Sequence, residues 1–334
     1  MSWRFWTRRD EPMPAPGDPD WERALINRLA AEHLREQRRS KRWGVIFKLL
    51  IVFYLIGLLA AGLSQGLWKE LEAAGEHTAL VDVKGVIAPE ADASADLVVS
   101  GLRDAFDASQ VKGVILRINS PGGSPVQAGY INDEIHRLKQ KYKEDKGKEM
   151  PVYAVAADLC ASGGYYVAVA ADEIYADKAS LVGSIGVRLD AFGLEQAMKE
   201  LGIERRLLTA GENKGILDPF SPLPDGQREF IQSLLDELHG QFIEAVKQGR
   251  GDRLKGGEEL FSGLFWSGEQ ALTLGLVDGL GSAGYVAREL IKAETIVEYT
   301  KERDLFAGLA RRLGAGVAGG FLEVMAALGW GTWR

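Results

Sequence analysis

Residues 151–171 constrain the fold of this chain more than any other stretch. Pro151-Val152-Tyr153-Ala154-Val155-Ala156-Ala157 is an apolar, strand-like run, and Tyr165-Tyr166-Val167-Ala168-Val169-Ala170-Ala171 is an apolar, helix-like one. The turn between them, Ala161-Ser162-Gly163-Gly164, is built of small residues. A serine at a strand-to-helix junction is held where a substrate carbonyl can reach it. The glycines after it let backbone N–H groups approach an oxyanion, and the helix start adds a favourable partial charge. A tightly packed structural turn uses the same residues, so the rest of the chain has to decide between the two.

That strand–helix alternation recurs. Strands are expected at 79–83, 113–118, 152–156, 173–175 and 205–209, and helices at roughly 94–109, 125–143, 163–171, 190–201, 225–248, 267–274 and 282–293. The pattern predicts an α/β domain, helices covering a sheet, over 78–297. About 220 residues suffice for one well-buried core, and no internal repeat divides them.

Before this domain, Gly44 to Leu63 is apolar except for Lys48, long enough to cross a bilayer as a helix. Arg35, Arg38, Arg39, Lys41 and Arg42 precede it against a single Glu36, while Lys69, Glu70, Glu72 and Glu76 follow it. The positive-inside rule then predicts a cytoplasmic basic leader and helix over 1–43, a transmembrane helix over 44–67 and a linker over 68–77. It also predicts a single-pass protein of a bacterial-type inner membrane with its catalytic domain outside, in the periplasm. A cleaved signal peptide is the competing reading, disfavoured by the long leader and long apolar run. The tail over 298–334 carries apolar residues broken by glycines; it reads as an amphipathic segment that lies on a membrane, packs on a neighbour or stays free.

Charge and cysteine content narrow the chemistry. The first 48 residues hold 11 Lys+Arg against 7 Asp+Glu, whereas the whole chain holds 40 against 47, so everything after the leader is acidic and nucleic acid is not an expected partner. Cys160 is the single cysteine, which rules out an intrachain disulfide. The four histidines, His33, His77, His136 and His239, show no metal-binding spacing, and neither a metal nor a cofactor is expected. Cys160 reads as a small core residue rather than a thiol nucleophile, and His136 as a surface residue of a charged helix.

Three further motifs accompany the serine turn. Ile118-Asn119-Ser120-Pro121-Gly122-Gly123-Ser124 follows a strand and precedes a helix. Val182-Gly183-Ser184-Ile185-Gly186-Val187 carries one hydroxyl among small apolar residues. Gly211-Glu212-Asn213-Lys214-Gly215-Ile216-Leu217-Asp218-Pro219-Phe220 places a lysine outside any charge run. In this order the four motifs resemble those of the signal peptide peptidase A family of serine–lysine proteases, in its short form with one catalytic unit. The resemblance covers roughly 78–295.

It implies Ser162 as nucleophile, Lys214 as general base and Ser184 as the hydroxyl that orients the lysine. It also implies backbone oxyanion donors at Gly123 and Gly163, with Gly122 shaping the turn. The implied fold is the stacked strand–strand–helix arrangement of crotonases and Clp protease subunits. The implied function is a membrane-anchored serine endopeptidase that cleaves hydrophobic peptides, such as signal peptides left after secretion, and that assembles into a ring. Clp-type subunits carry a histidine after the nucleophile, and here none follows until His239. The alternatives are a crotonase-like acyl-CoA enzyme, against which the anchor and the missing basic cluster count, and an inactive scaffold of the same fold.

A Ser/Lys dyad makes a physical demand. A free lysine near pH 7.4 is neutral in about one molecule in a thousand, and lowering its pKa by about 3 units takes roughly 4 kcal/mol of differential stabilisation. Desolvation supplies that only if no carboxylate sits beside the amine, so Glu212, and to a lesser degree Asp218, must face away.

Overall fold

A computed structural model describes residues 75–303 continuously, together with scattered positions between Trp21 and Gly57. The chain divides into two units, 1–70 and 71–334. In the first, the described positions Ile46, Leu49, Leu50, Ile51, Phe53, Tyr54 and Ile56 are helical and exposed. No helix among the described residues is long and apolar enough to cross a membrane. Most of the leader, most of the expected 44–67 span and the tail from 304 lie outside the described residues.

The second unit is built on an eight-stranded sheet. Its strands are β1 (His77–Lys84), β2 (Val111–Ser120), β3 (Val152–Ala161), β4 (Glu173–Ala176), β5 (Leu181–Gly183), β6 (Phe265–Ser267), β7 (Gly279–Leu280) and β8 (Ile296–Glu298). The order is β6-β5-β3-β2-β1-β8, with β4 joined to β3 and β7. Every pairing is parallel except β5 with β6. The helices are α1 (Ala95–Asp107), α2 (Pro125–Lys146), α3 (Gly163–Ala168), α4 (Glu195–Glu200), α5 (Asp225–Arg250), α6 (Gly268–Thr273) and α7 (Ala283–Tyr285, continuing as a π-turn over Val286–Ile291).

Side-chain alternation along the central strands sorts the core into two layers. Ala79, Val81, Val83, Val114, Leu116, Ile118, Ala154 and Ala156 enter the main core beneath α1, α2 and α3. Leu80, Ile115 and Val155 face the other way and pack with Val286, Ala287 and Ile291 of α7. Both faces are covered, as a parallel sheet requires. Helix α2 starts at Ser124, whose hydroxyl accepts from Gln127 N at 3.4 Å, has Pro125 in its first turn and stops at left-handed Gly147.

The expected strand at 205–209 is not a strand. Arg205 to Thr209 are irregular and exposed, Leu208 to 94%, with no neighbouring strand to take their backbone groups. The expected helix at 190–201 shortens to Glu195–Glu200, and that at 163–171 ends at Ala168. Conversely, Leu181–Gly183 and Phe265–Ser267, which lie outside the expected strands, pair with each other as β5 and β6. The chain also stays bound to the sheet beyond Val297: Tyr299 N donates to Leu80 O at 2.8 Å, and its hydroxyl meets His77 Nε2 at 2.9 Å.

Candidate functional site

Strand β3 changes partners midway. Tyr153–Ala156 pair with β4, whereas Leu159–Ala161 pair with β5, and opposite this change the register with β2 slips between Ile118 and Ser120. The end of β3 is thereby steered away from the β4 side, and the chain enters α3 through Ser162, with φ 51° and ψ −123°. This is left-handed territory that costs a non-glycine residue about 1–3 kcal/mol. Two bonds hold it there: Ser162 N donates to Gly183 O at 2.8 Å, and Tyr166 N donates to Ser162 O at 2.9 Å. The serine is half-buried, and its hydroxyl makes no hydrogen bond among the described residues.

The Ser120–Ser124 turn lies against this junction. Ser120 Oγ donates to Gly85 O at 2.6 Å and accepts from Gly122 N at 3.1 Å. Ile87 bridges the turn, donating to Gly122 O at 2.9 Å and accepting from Ser124 N at 2.8 Å. Gly123 N is left without an acceptor among the described residues, and Gly163 N, at the first position of α3, has none either. The two glycines are close: a Cβ on Gly163 would lie 3.3 Å from Gly123 N. Gly122 must be glycine, because it has φ 93° and its Cβ would lie 2.5 Å from Gly163 N and 2.8 Å from Ser162 Cβ. Two free N–H donors beside an unbonded serine hydroxyl can stabilise the oxyanion formed when that hydroxyl adds to a carbonyl.

A cavity of about 740 Å3 opens on this group, lined by Ser162, Gly122, Gly123, Gly163 and Ser184 and, on the far wall, by Leu238, His239 and Phe242 of α5. Ser184 also has left-handed geometry, φ 52°, fixed by its N–H donating to Leu264 O at 2.7 Å. A larger cavity of about 890 Å3 near Arg117, Asp158 and Ser282 has its hydroxyls engaged: Ser180 bonds to Ala157 O, and Ser282 caps Tyr285 N. The smaller cavity is the one that holds the unbonded Ser162 hydroxyl.

Five of the six expected site residues meet here; Lys214 does not join them within one chain. It lies exposed in the turn over 211–217, where its N–H donates to Gly211 O at 3.1 Å. Neither Glu212 nor Asp218 pairs with it among the described residues; Asp218 accepts from Ser221 Oγ at 2.6 Å and pairs with Arg205, which together hold its carboxyl below the usual range. Cys160 is fully buried and its thiol is pushed up to about 12 by burial, so it supplies no thiolate. His136 lies exposed on α2, away from the cavity. No cluster of three or more His, Cys, Asp or Glu side chains suited to a metal occurs among the described residues.

Sequence reasoning passed over His239 as a site residue. The signal was periodic: His239, Phe242, Val246 and Arg250 share one face of α5, and the last three are its buried residues.

A mostly parallel α/β sheet carrying a half-buried serine at a strained strand-to-helix junction, faced by two unpaired glycine N–H groups, is the arrangement that a serine-nucleophile hydrolase needs. Residues 144–296 match the profile of peptidase family S49. A putative protease, MJ0651, of Methanocaldococcus jannaschii is 35% identical over 246 residues, 72% of this chain and 76% of that one. The chain belongs to peptidase family S49. It is also similar to a putative signal peptide peptidase SppA of Enterococcus faecium, 29% identical over 202 residues, 59% of this chain and 57% of that one. Chains of Brucella melitensis and Brucella abortus named Na(+)/H(+) antiporter NhaA are each 44% identical over 180 residues, 54% of this chain; it spans about a quarter of their length, 24%.

Proposed function

We propose that this protein is a membrane-anchored serine endopeptidase with a Ser162/Lys214 dyad. The observation that carries the reading is the unbonded Ser162 hydroxyl beside the unpaired N–H groups of Gly123 and Gly163 in one cleft. Ser162 Oγ adds to the scissile carbonyl as its proton passes to a neutral lysine amine. The oxyanion is held by the two N–H groups, the resulting ammonium protonates the leaving amine, and water, activated by the same amine, hydrolyses the acyl-enzyme. Ser184, in the same cavity, orients the amine.

Lys214 reaches the cleft from an adjoining copy in a ring-shaped homo-oligomer. In support, the arm from Leu189 to Leu234 exposes Phe192, Leu201, Ile203, Leu208 and Phe230, and α5 buries no residue before Phe242. Apolar surface of this extent marks a protein–protein contact. The apolar run over 44–67 and the basic leader support an inner-membrane anchor with the catalytic domain outside. Beside the bilayer, the substrates are hydrophobic peptides such as spent signal peptides. The crotonase- and Clp-like stacking of strand and helix belongs to the same proposal.

The test is digestion of a defined signal peptide in detergent. Ser162→Ala and Lys214→Ala should each abolish cleavage and, mixed and reassembled, should recover part of it, because some clefts then combine an intact serine with a neighbour's intact lysine. Full turnover in Lys214→Ala alone removes the dyad; no recovery on mixing returns the lysine to its own chain.

A further inference from the structure

Helix α5 brings to the wall of the cleft a histidine, His239, that the dyad does not use. His239 Nε2 is buried and has no hydrogen-bond partner; among the described residues it is the one buried side-chain nitrogen or oxygen in that condition. Native proteins pair such atoms, so an unpaired one lining a cavity is matched to a ligand that enters it. The position is rigid rather than accidental. The Tyr166 ring packs on Phe242 at 5.2 Å, one helical turn from His239, and Tyr166 N is itself bonded to Ser162 O. At the far end of the helix, Arg250 is clamped by Asp278 and by Gly275 O at 3.0 Å, and Gly249 lies too close to the Val169 backbone to accept a side chain. The helix backbone at His239 is thus held at a fixed place relative to the serine, and rotation of the imidazole presents Nε2 to the cleft.

This histidine is not organised as a base. The Ser162 hydroxyl makes no bond to it, and no carboxylate orients either ring nitrogen among the described residues, whereas a Ser–His pair needs both contacts. The cavity it lines is mixed: Tyr166, Leu238 and Phe242 supply apolar surface, and Arg188, Gln241 and Ser262 polar groups. A small number of polar groups set among apolar side chains is how a site fixes the register of an extended chain.

We propose that His239 is a substrate-binding residue, whose Nε2 makes a hydrogen bond to the main chain of an extended peptide while Tyr166, Leu238 and Phe242 receive the neighbouring apolar side chain. The assignment rests on the serine endopeptidase reading and deepens it: the site takes apolar peptides in one register, set from α5.

The full-length protein in detergent, an internally quenched peptide of leucine and alanine residues, and the variants His239→Leu and His239→Gln test it. In His239→Leu, KM should rise about tenfold with kcat within about twofold, the effect of one lost hydrogen bond in the bound state. In His239→Gln, whose amide both donates and accepts, KM should stay within about twofold of wild type. Labelling of Ser162 by a small alkyl fluorophosphonate, which does not span to α5, should be equally fast in all three proteins. An unchanged KM in His239→Leu overturns the assignment. So does a collapse of kcat and of labelling in both variants, which makes the imidazole a proton-transfer group, and so does equal damage in both with a lowered melting temperature, which makes it structural. If wild type neither cleaves nor labels, the peptidase reading falls and takes this one with it; an active wild type with an indifferent His239 rejects this one alone.

Discussion

The N–H of Ser162 donates to the carbonyl of Gly183 at 2.8 Å, so the serine and Ser184, the next residue after Gly183, are set by a single link between β3 and β5. Both serines have φ near +50°, and both lie immediately beyond the last residue of their strand. The pairing of Leu159–Ala161 with Leu181–Gly183 brings the two strand ends, and with them the two hydroxyls, to one cavity.

Strain at Ser162 is measurable. Ser162→Ala and Ser162→Gly should both lose peptide cleavage and fluorophosphonate labelling. Alanine keeps the left-handed strain while glycine releases it, less the glycine's greater chain entropy when unfolded, so the glycine variant should be the more stable by about 1 kcal/mol. Thermal unfolding of the two inactive variants checks this; a glycine variant that melts no higher than the alanine one places the strain elsewhere.

Gly122 packs against both Ser162 and Gly163, and its substitution should be severe. In Gly122→Ala the new methyl group meets Gly163 N and Ser162 Cβ, and φ 93° disfavours any side chain. Displacing one oxyanion donor costs about 100-fold or more in kcat. We expect a loss of at least that size in kcat, a KM within a few-fold of wild type, and a destabilisation of about 1–3 kcal/mol from the strained backbone. Steady-state kinetics with denaturant unfolding would show it; near-normal kcat would mean that Gly163 N–H is not a donor.

Much of this was readable before any coordinates. The α/β class followed from apolar runs alternating with amphipathic ones, the two glycine turns and Ser162 from their place where a strand stops, and Ser184 from the order of motifs in the resembled family. Two things were not readable. Strands β5, β6, β7 and β8 have three or fewer residues each, too short for periodicity, and exist because a longer neighbour offers them an edge. Arg205 to Thr209 shows the reverse: a strand-like composition that finds no edge in its own chain stays irregular. His239 was passed over because its helix read as amphipathic without revealing what its inner face touched, and that depends on where Arg250 is anchored.

Cys160 lies two residues before Ser162, and the two can be told apart chemically. With its thiol fully buried and raised to about 12, Cys160 should resist a thiol reagent such as iodoacetamide at pH 8 in the folded protein and react fully after unfolding. Treated enzyme should keep its peptide cleavage. Rapid native alkylation accompanied by loss of activity would assign the nucleophile to the wrong residue.

Arg250 and Asp278 decide how firmly α5 is held. Arg250 is 1% exposed and donates to Asp278 through two nitrogens, at 2.6 and 3.0 Å, while Asp278 also accepts from Ile174 N at 2.7 Å. Burial alone would raise the Asp278 carboxyl, but the Arg250 and Ile174 hydrogen bonds outweigh it and hold the group below its ordinary range. Asp278→Ala leaves a buried guanidinium uncompensated and should destabilise the domain by about 3–5 kcal/mol, whereas replacing both partners by apolar residues should recover most of that. Because the folded carboxyl has the lower pKa, its contribution is complete above the unfolded value, about 3.9, and fades as pH falls below it. The stability gap between wild type and Asp278→Ala in urea unfolding should accordingly be constant from pH 7 to 5 and narrow below pH 4. The same variant should raise KM for apolar peptides, because α5 carries Leu238, His239 and Phe242 along the cleft and loses its anchor. A gap that is insensitive to acid, or a KM that does not move, would show that α5 is held by its apolar contacts with Tyr166 and Val169 instead.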